Sequence, residues 1–554
     1  MKNISVLLLF LVGFNSYAAI PKDELRIAVS QELDTLNPLL WNMLASVYSY
    51  DFVGRGLLYM NTDGEWKPQL AKSIPSFENG GAKFVNVGPQ KKVEAIWEIK
   101  DEAKWGDGTA LTCSDFAFAL EVAANLNVSV PERSLYEQFE KITWAPETPK
   151  RCTFLYKEAK WNFFQIGRLK ALPRHLEEPI YKKYGDKKEG YERNTLYVTK
   201  PTTPGLYNGP YVVSELKMGQ HVMFKPNKYF YGPTPKISKV VIKVIPNTGT
   251  IEANLLSGSV NVTTFLGFTL DQAVSFEKRK TEDFKIHYVP STTYEHINMN
   301  LENPILADLK VRKALLIAID RGELNTALFE GKSQVAHHPI VPIDPWYTED
   351  PKYVSLYKYS SRDAQKLLEE AGWKRGKDGI REKGGKRLSL DFATTAGNKI
   401  RETTQQYLQD KWKQVGVEVV IKNVPAKVFF GDFLKKREFT GLVMFAWTTE
   451  LQANPEIFLH SKYIPSAENS FSGRNVSAWK NKEVDKILGS LDQEFSLAER
   501  KKKIQKVLKI FTADVPDIPL FYRTINAVVP AQLKEFKLSP HGYSEANEVE
   551  NWTM

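Results

Sequence analysis

The chain has 554 residues, of which 42% are hydrophobic and 12% aromatic, and its formal charge at pH 7 is +10. This length excludes a single compact core and predicts about two to four domains, while the hydrophobic content excludes a disordered chain. Lysine and glutamate are interspersed along the sequence as on an ordinary solvated surface, so we expect no nucleic-acid partner.

The N-terminus has the pattern of a secretory signal peptide. Lys2 supplies a positive charge, residues 6–14 form a short apolar core, and Ser16 and Ala18 are small residues at the positions that signal peptidase reads. We expect cleavage after Ala18 and, because no cysteine lies nearby, no lipid anchor. No later segment approaches the roughly 20 apolar residues of a membrane helix. The sequence therefore predicts an exported, periplasmic protein without stable membrane insertion.

The first half of the mature chain alternates between short strands and short helices. Strands are indicated where apolar and polar residues alternate, as at Val93, Ala95 and Trp97. Thr112 and Asp115 form a capping box that predicts the start of a helix. The remaining elements predicted here are a strand over 25–30, a helix over 45–59, hairpins over 142–156 and 211–225, strands over 239–245 and 260–264, and a helix over 250–256.

Cys113 and Cys152 are the two cysteines of the chain. In an oxidising compartment such a pair usually forms a disulfide, provided that the helix start at Cys113 approaches the strand that holds Cys152. Two separate buried thiols are the alternative. Two sulfurs without a histidine at ligand spacing do not predict zinc, and we expect neither a metal nor a cofactor.

In the middle of the chain, a strand leads directly into an amphipathic helix. Apolar and polar residues alternate over 294–301, and apolar residues then recur at helical spacing from Val311 to Ile319, with Asp308 as a candidate N-cap. A strand that leads into an amphipathic helix in the middle of a long chain is typical of the start of a second lobe. We predict that the chain crosses between two lobes here and that a ligand binds near the crossing.

The second half continues the alternation, which predicts α/β lobes. The predicted elements are a helix from Ser360 to Gly372, a helix over 399–415, strands over 417–421 and 440–447, a basic helix over 498–511 and an extended segment over 516–522.

Motifs spread over nearly the whole mature chain resemble those of the peptide/nickel class of bacterial solute-binding proteins, which serve ATP-driven importers. Each motif is weak alone, but their order and spacing together are specific. The residues that carry the resemblance are 36–38, 63–71, 104–109 with 111, 112 and 115, 209–211, 227–232, 311–314 with 318–321, 366–368 with 371–373, and 518–520.

The resemblance implies an α/β, two-lobed periplasmic binding protein fold, similar to type II, with an extra inserted domain and the ligand in the inter-lobe cleft. Domain I would comprise 19–58, 195–296 and 523–554, domain II 59–194, and domain III 297–522. The lobes would close about two crossing strands, which is a recognised response to a ligand. The expected hinge residues are Glu295, His296, Ile297, Phe521 and Tyr522.

The resemblance also implies a function. Similar proteins capture oligopeptides or dipeptides as an added strand and, as monomers without catalytic activity, deliver them to the membrane permease subunits of an ABC importer. In peptide-binding members, an acidic residue three positions after a tryptophan pairs with the ligand's α-amine. Here Trp447 is followed by Thr448, Thr449 and Glu450, so Glu450 stands where the usual residue is Asp. These four are the expected ligand-binding residues.

Other functions remain open on the sequence alone. The same fold could bind a nickel complex, haem, an opine or a cell-wall peptide, or present its ligand to a receptor. His337 and His338 do not predict a metal site, because adjacent side chains of an extended chain point in opposite directions. An exported hydrolase is not favoured, since the chain contains neither a Gly-x-Ser-x-Gly elbow nor a His-Glu-x-x-His motif.

Overall fold

A computed structural model describes residues 21, 23–279, 282–469, 471 and 473–554. The predicted signal peptide and its cleavage site after Ala18 lie outside the described residues. In the described part of the chain, no helix combines the length and apolar character needed to span a bilayer.

Twenty strands are present among the described residues. In chain order they are β1 (Glu24–Val29), β2 (Leu58–Met60), β3 (Trp66–Pro68), β4 (Ala82–Val87), β5 (Gln90–Glu98), β6 (Phe139–Thr143), β7 (Arg151–Tyr156), β8 (Tyr211–Lys217), β9 (His221–Pro226), β10 (Lys239–Val244), β11 (Val262–Thr263), β12 (Phe284–Met299), β13 (Gln334–Val335), β14 (Lys374–Arg375), β15 (Arg381–Lys383), β16 (Lys386–Arg387), β17 (Ser389–Ala393), β18 (Glu418–Ile421), β19 (Leu442–Thr448) and β20 (Asp517–Pro530).

The α-helices of the described residues alternate with these strands. They are α1 (Leu44–Tyr50), α2 (Cys113–Ala124), α3 (Ser134–Glu137), α4 (Arg174–Tyr184), α5 (Gly190–Asn194), α6 (Leu196–Thr199), α7 (Ile251–Leu256), α8 (Leu270–Arg279), α9 (Leu309–Ile317), α10 (Arg321–Phe329), α11 (Ser361–Glu370), α12 (Lys399–Gln414), α13 (Ala426–Val428), α14 (Glu456–Leu459), α15 (Lys482–Gly489) and α16 (Leu497–Asp514).

An eleven-stranded sheet runs through the molecule in the order β18-β17-β19-β12-β20-β11-β1-β10-β9-β8, with β13 beside β20. At its centre, the two long strands β12 and β20 pair antiparallel. On one side β1 pairs parallel with β10 and β11, and on the other β17 pairs parallel with β18 and β19. The sheet therefore consists of two groups of strands joined through one central pair.

The two groups pack around separate apolar cores. The larger core is built from residues between Leu25 and Leu266 together with residues between Ala527 and Trp552. A second core contains only residues between Ile297 and Phe521. We propose on this basis that the crossings lie near 296 and 522. Residues 59–194, expected to form a separate domain, share the larger core, although β4 to β7 form a sheet of their own.

Several predicted local signals are present as expected. Thr112 and Asp115 form the capping box at the start of α2. Asp308 caps α9, where its side chain accepts a hydrogen bond from the amide of Lys310 at 2.9 Å. Ser360 similarly caps α11.

The helix predicted over 45–59 is shorter than expected, because α1 ends at Tyr50. A turn follows, and at Gly54 an added Cβ would lie 1.9 Å from the ring of Tyr50. The apolar residues Phe52, Val53 and Leu57 are fully buried without being helical. Residues of an irregular segment can be buried on all sides. The spacing of these apolar residues therefore resembled that of a helix, although the segment is not helical.

A disulfide joins Cys113, the first residue of α2, to Cys152 on β7, with their Cα atoms 5.4 Å apart. Both residues are fully buried in the larger core. The bond closes a loop between positions separated by 39 in the sequence. On the chain-entropy argument, a loop of this length restricts the unfolded chain enough to stabilise the fold by about 4 kcal/mol.

We expect a strong reductant to lower the melting temperature, because reduction removes this restriction on the unfolded chain. Differential scanning fluorimetry with and without reductant measures the change. A Cys113→Ser, Cys152→Ser double variant is the control, and reductant should leave its melting temperature unchanged. A non-reducing peptide map with both thiols free would contradict the prediction.

Candidate ligand-binding site

A cavity of about 600 Å³ lies where the two groups of strands meet. This volume is within the usual range for small-ligand sites, roughly 300–1,000 Å³. Its walls come from distant parts of the chain: Leu44, Val47 and Tyr48 of α1 with Asp51 just after it; Met60 and Trp66; Leu135, Gln138, Asn162, Gln165 and Arg168; Phe265; Ser291, Thr292, Thr293 and Ile525 of the central strands; Thr448, Thr449, Glu450 and Leu451; and residues 540–544.

The central strands and β19 form one polar wall of this cavity. The hydroxyl oxygens of Thr293 and Thr448 lie 3.1 Å apart, and the amide of Thr449 donates to the carbonyl oxygen of Thr292 at 3.0 Å. The end of β19 is thereby fixed against β12. Hydroxyl groups can both donate and accept hydrogen bonds, so this wall suits a ligand that carries amide groups.

Glu450 follows the end of β19 and is exposed, with its side chain lining the cavity. Among the described residues, no Lys, Arg or His forms an ion pair with its carboxylate. A carboxylate without a cationic partner in a concave site is well placed to bind a cationic group of a ligand.

Arg168 brings a positive charge to the same cavity. Its guanidinium pairs with Glu132 at 3.2 Å and lies 5.6 Å from the ring centre of Tyr543. Burial works to lower the pKa of Arg168, but nearby negative groups, which include Glu132 and Glu450, outweigh burial and raise it. The sequence did not reveal Arg168, because a single arginine in an irregular segment has no periodic or motif signal.

Two buried acids lie at or beside the cavity: Asp51, which follows α1 and lines the cavity, and Glu545 in the C-terminal segment. Asp51 accepts a hydrogen bond from the hydroxyl of Ser544 at 3.0 Å, and burial raises its pKa. Beside it, burial lowers the pKa of Lys170 to about 8. Glu545 is 3% exposed, and burial raises its pKa to about 7. This carboxyl group keeps its proton more strongly than an ordinary glutamate.

We expect Glu545→Gln to stabilise the protein at pH 8 and to change little at pH 5. The folded state retains the Glu545 proton between its ordinary pKa of 4.5 and about 7, whereas the unfolded chain has lost it. Stability from this group is therefore lost as the pH rises through that window. The variant removes the loss, on the order of 3 kcal/mol at pH 8, since one pKa unit corresponds to about 1.4 kcal/mol.

Melting temperatures of the wild type and the variant at the two pH values measure this effect. Glu102→Gln is the matched control, because Glu102 is exposed on the surface. An equal shift of the Glu545→Gln variant at pH 5 and pH 8 would refute the assigned cause.

Of the four expected ligand-binding residues, Trp447 alone does not line the large cavity, although the crevice that it lines shares Thr449 with that cavity. Thr448, Thr449 and Glu450 line the large cavity, whereas Trp447 lines a small crevice with Tyr294. Its ring packs on Phe445 and Phe458, with centroids 4.9 and 5.3 Å away. Because successive side chains of a strand point to opposite faces, Trp447 and Thr448 cannot both face the cavity.

A side chamber of about 320 Å³ adjoins the large cavity, and the two share Thr448, Thr449 and Glu450 as lining residues. Its other walls are formed by Pro339, Ile340, Val341, Asp344, Ala453, Asn454, Pro455, Ile457, Phe458 and Arg474. Glu450 therefore stands between two connected spaces.

The five residues expected to form the hinge lie together on the central strands. Glu295 is paired in register with Phe521, and Ile297 with Ile518. Burial lowers the pKa of His296 to about 4, so its ring is neutral at neutral pH. The hydroxyl of Tyr522 donates to the carbonyl oxygen of His338 at 2.8 Å.

Glu295 is the centre of a buried charge cluster on these strands. The side chain is 2% exposed and accepts hydrogen bonds from Arg401 Nε at 2.7 Å and Arg523 Nε at 2.8 Å. Burial opposes its ionisation, but the two guanidinium groups outweigh burial and hold the pKa of Glu295 below its ordinary value. The cluster ties β12 to β20 and to the first turns of α12.

Within the described ranges, no group of three or more His, Cys, Asp or Glu residues is arranged to hold a metal ion.

Comparison with known proteins identifies the family. The family model described as "Bacterial extracellular solute-binding proteins, family 5 Middle" matches residues 65–470. The chain belongs to this family. The resemblance predicted from the sequence motifs is thereby confirmed, and family members are solute-binding proteins.

Relatives of family 5 match most of the chain. The oligopeptide-binding protein AppA of Bacillus subtilis is 26% identical over 526 residues, which cover 93% of this chain and 90% of that protein. The oligopeptide-binding protein OppA of Lactococcus lactis subsp. lactis is 26% identical over 375 residues, which cover 63% of this chain and 61% of that protein.

Solved structures of similar proteins share the fold. The oligopeptide-binding protein of Thermus thermophilus, complexed with a pentapeptide, is 26% identical with a TM-score of 0.67 and covers 96% of both chains. NikZ of Campylobacter jejuni, in complex with Ni(L-His), is 25% identical with a TM-score of 0.68, covering 97% of this chain and 100% of that one. The predicted two-lobed α/β fold is confirmed.

Proposed function

We propose that this family 5 protein captures peptides in the 600 Å³ cavity and delivers them to the permease subunits of an ABC importer. The observation that carries the proposal is the position of Glu450, an acid without an ion-pair partner among the described residues, at the edge of this cavity. Two relatives that cover most of the chain, from Bacillus subtilis and Thermus thermophilus, are oligopeptide-binding proteins, which supports the same ligand class here.

The polar wall of the cavity supports recognition of the peptide main chain. Ser291, Thr293, Thr448 and Thr449 offer hydroxyl groups that can bond to N–H and C=O groups in any peptide. Recognition through main-chain groups is insensitive to side chains, which suits an importer of mixed peptides. Glu450 would then bind the α-amine, which every unmodified peptide carries.

We infer that the lobes close on the peptide about β12 and β20, with Glu295, His296, Ile297, Phe521 and Tyr522 as the hinge. The separate cores on either side of these strands support this assignment. The protein acts in the periplasm as a monomer after cleavage of its leader at Ala18, and it binds its ligand without catalysis.

A mixture of short peptides tests the proposal. The peptides should raise the melting temperature and be recovered uncleaved, because a ligand that binds only the folded state stabilises it. Free amino acids of the same composition are the control. Peptide cleavage during incubation would refute a pure binding role, and an unchanged melting temperature would refute peptide capture.

Mass spectrometry of molecules that remain bound through purification distinguishes the other ligand classes. Peptides in the denatured protein support the proposal. Stoichiometric nickel or haem with no peptide would replace it by one of the alternative solutes.

A further inference from the structure

We propose that Arg474 binds a carboxylate of the captured peptide, so that the protein prefers ligands with an acidic group close to their α-amine. The carboxylate is either an acidic side chain at one of the first two positions or the C-terminus of a dipeptide. This inference rests on the proposed peptide function and names a preference within it.

The position of Arg474 places it beside the proposed amine site. Arg474 lines the 320 Å³ side chamber, and Glu450 lines both that chamber and the large cavity. A peptide whose amine is held by Glu450 therefore has its first residues at the entrance of a chamber that contains a guanidinium group.

Two aromatic rings hold Arg474 in position. Its guanidinium carbon lies 5.2 Å from the ring centre of Trp447 and 5.6 Å from that of Phe458. These cation–π contacts restrict the side chain and use none of its N–H donors. This contact also gives Trp447 a role, as a support for Arg474 rather than a direct ligand contact.

The guanidinium of Arg474 has no hydrogen-bond acceptor and no ion-pair partner among the described residues, and its side chain is exposed in the chamber. The other arginines at cavities differ in this respect. Arg168 pairs with Glu132, and both Arg401 and Arg523 pair with Glu295. Since a guanidinium group has five donors that match a carboxylate, the unpaired one is the candidate to bind an anion from outside the chain.

The remaining charges of the chamber agree with this assignment. Asp344 is 6% exposed, and its two oxygens accept hydrogen bonds from the amides of Trp346 and Gln452 at 2.8 and 2.6 Å. Its carboxyl group is thus occupied by the main chain. Ile457 and Phe458 add apolar walls to the chamber beside Arg474.

Isothermal titration calorimetry with matched peptide pairs tests the inference. The pairs are Glu-Ala-Ala-Ala with Gln-Ala-Ala-Ala, Ala-Glu-Ala-Ala with Ala-Gln-Ala-Ala, and the dipeptide Ala-Ala with its C-terminal amide. We expect the wild type to bind the acidic member of at least one pair about tenfold more tightly or better, because a charge-assisted hydrogen bond replaces a neutral one. The pair that shows the difference identifies the source of the carboxylate.

Arg474→Gln should abolish this preference and leave the affinity for neutral peptides within about twofold, since only the charged contact is lost. Arg362→Gln is the control, because Arg362 is 91% exposed and lines no described cavity. If Arg474→Gln lowers the melting temperature, Arg474→Lys decides instead, and it should retain part of the preference.

Three results would overturn the inference: a wild type that binds both members of every pair equally, a preference that survives in Arg474→Gln, or an equal loss for acidic and neutral peptides. Equal binding of the pairs would leave the proposed peptide function intact. A wild type that binds no peptide at all would refute both.

Discussion

Replacing Glu450 by Gln should weaken the binding of peptides with a free α-amine by about tenfold to a hundredfold, because a hydrogen bond between charged groups contributes roughly 1.5–3 kcal/mol. N-acetylated peptides should bind almost as well to the variant as to the wild type, since they have no ammonium group to lose. Gln keeps the size of the side chain, so the difference between the two ligands isolates the charge of Glu450.

Calorimetry of each peptide in its free and acetylated forms measures this difference. Glu450→Asp is the informative second variant, because it retains the charge with a shorter reach. It should keep most of the discrimination between the two forms, whereas Glu102→Gln, remote on the surface, should change neither affinity. Equal losses for free and acetylated peptides in Glu450→Gln would remove Glu450 from the amine site.

The local signals of the sequence located the central strands but not their lengths. Alternating residues over 294–301 predicted the end of β12, yet the strand begins at Phe284. Phe284, Ile286 and Tyr288 alternate with Lys285 and His287 and pack beside one buried cluster, so the alternation extends to the start of the strand and the predicted strand was too short. In β20, Arg523 and Thr524 interrupt the apolar run, and the strand nevertheless continues to Pro530 because β12 and β11 pair with it.

The site was predictable only where a motif marks it. The spacing from Trp447 predicted Glu450 as a site residue, and Glu450 lines the cavity. Trp447 itself lines a separate crevice, because its position in β19 directs its side chain to the other face of the strand. Arg168, Arg474 and Ser544 lie on segments that meet only in the folded protein. A single charged or hydroxyl residue in an irregular segment carries no information about its distant partners, so these contacts required the structure.

The largest loss of stability is expected from Glu295→Ala. This change would leave the guanidinium groups of Arg401 and Arg523 without their carboxylate, and that of Arg401 is buried, with its side chain 8% exposed. Breaking a buried ion pair by removing one partner costs about 3–5 kcal/mol, because the remaining charge is left uncompensated. Arg523→Ala should cost less, since its side chain is 42% exposed and water already solvates part of the charge.

A double variant distinguishes an unpaired charge from simple loss of packing. Glu295→Leu combined with Arg401→Met removes the buried acid and the buried base together, so it should be more stable than Glu295→Leu alone, although it changes more of the core. Chemical denaturation of the three proteins measures the order of stability. If the double variant is the less stable one, the cluster stabilises the central strands through its shape and not through its charges. If the double variant is more stable than Glu295→Leu, the pairing of the Glu295 carboxylate with its guanidinium partners stabilises β12 and β20 at the point where the two lobes meet.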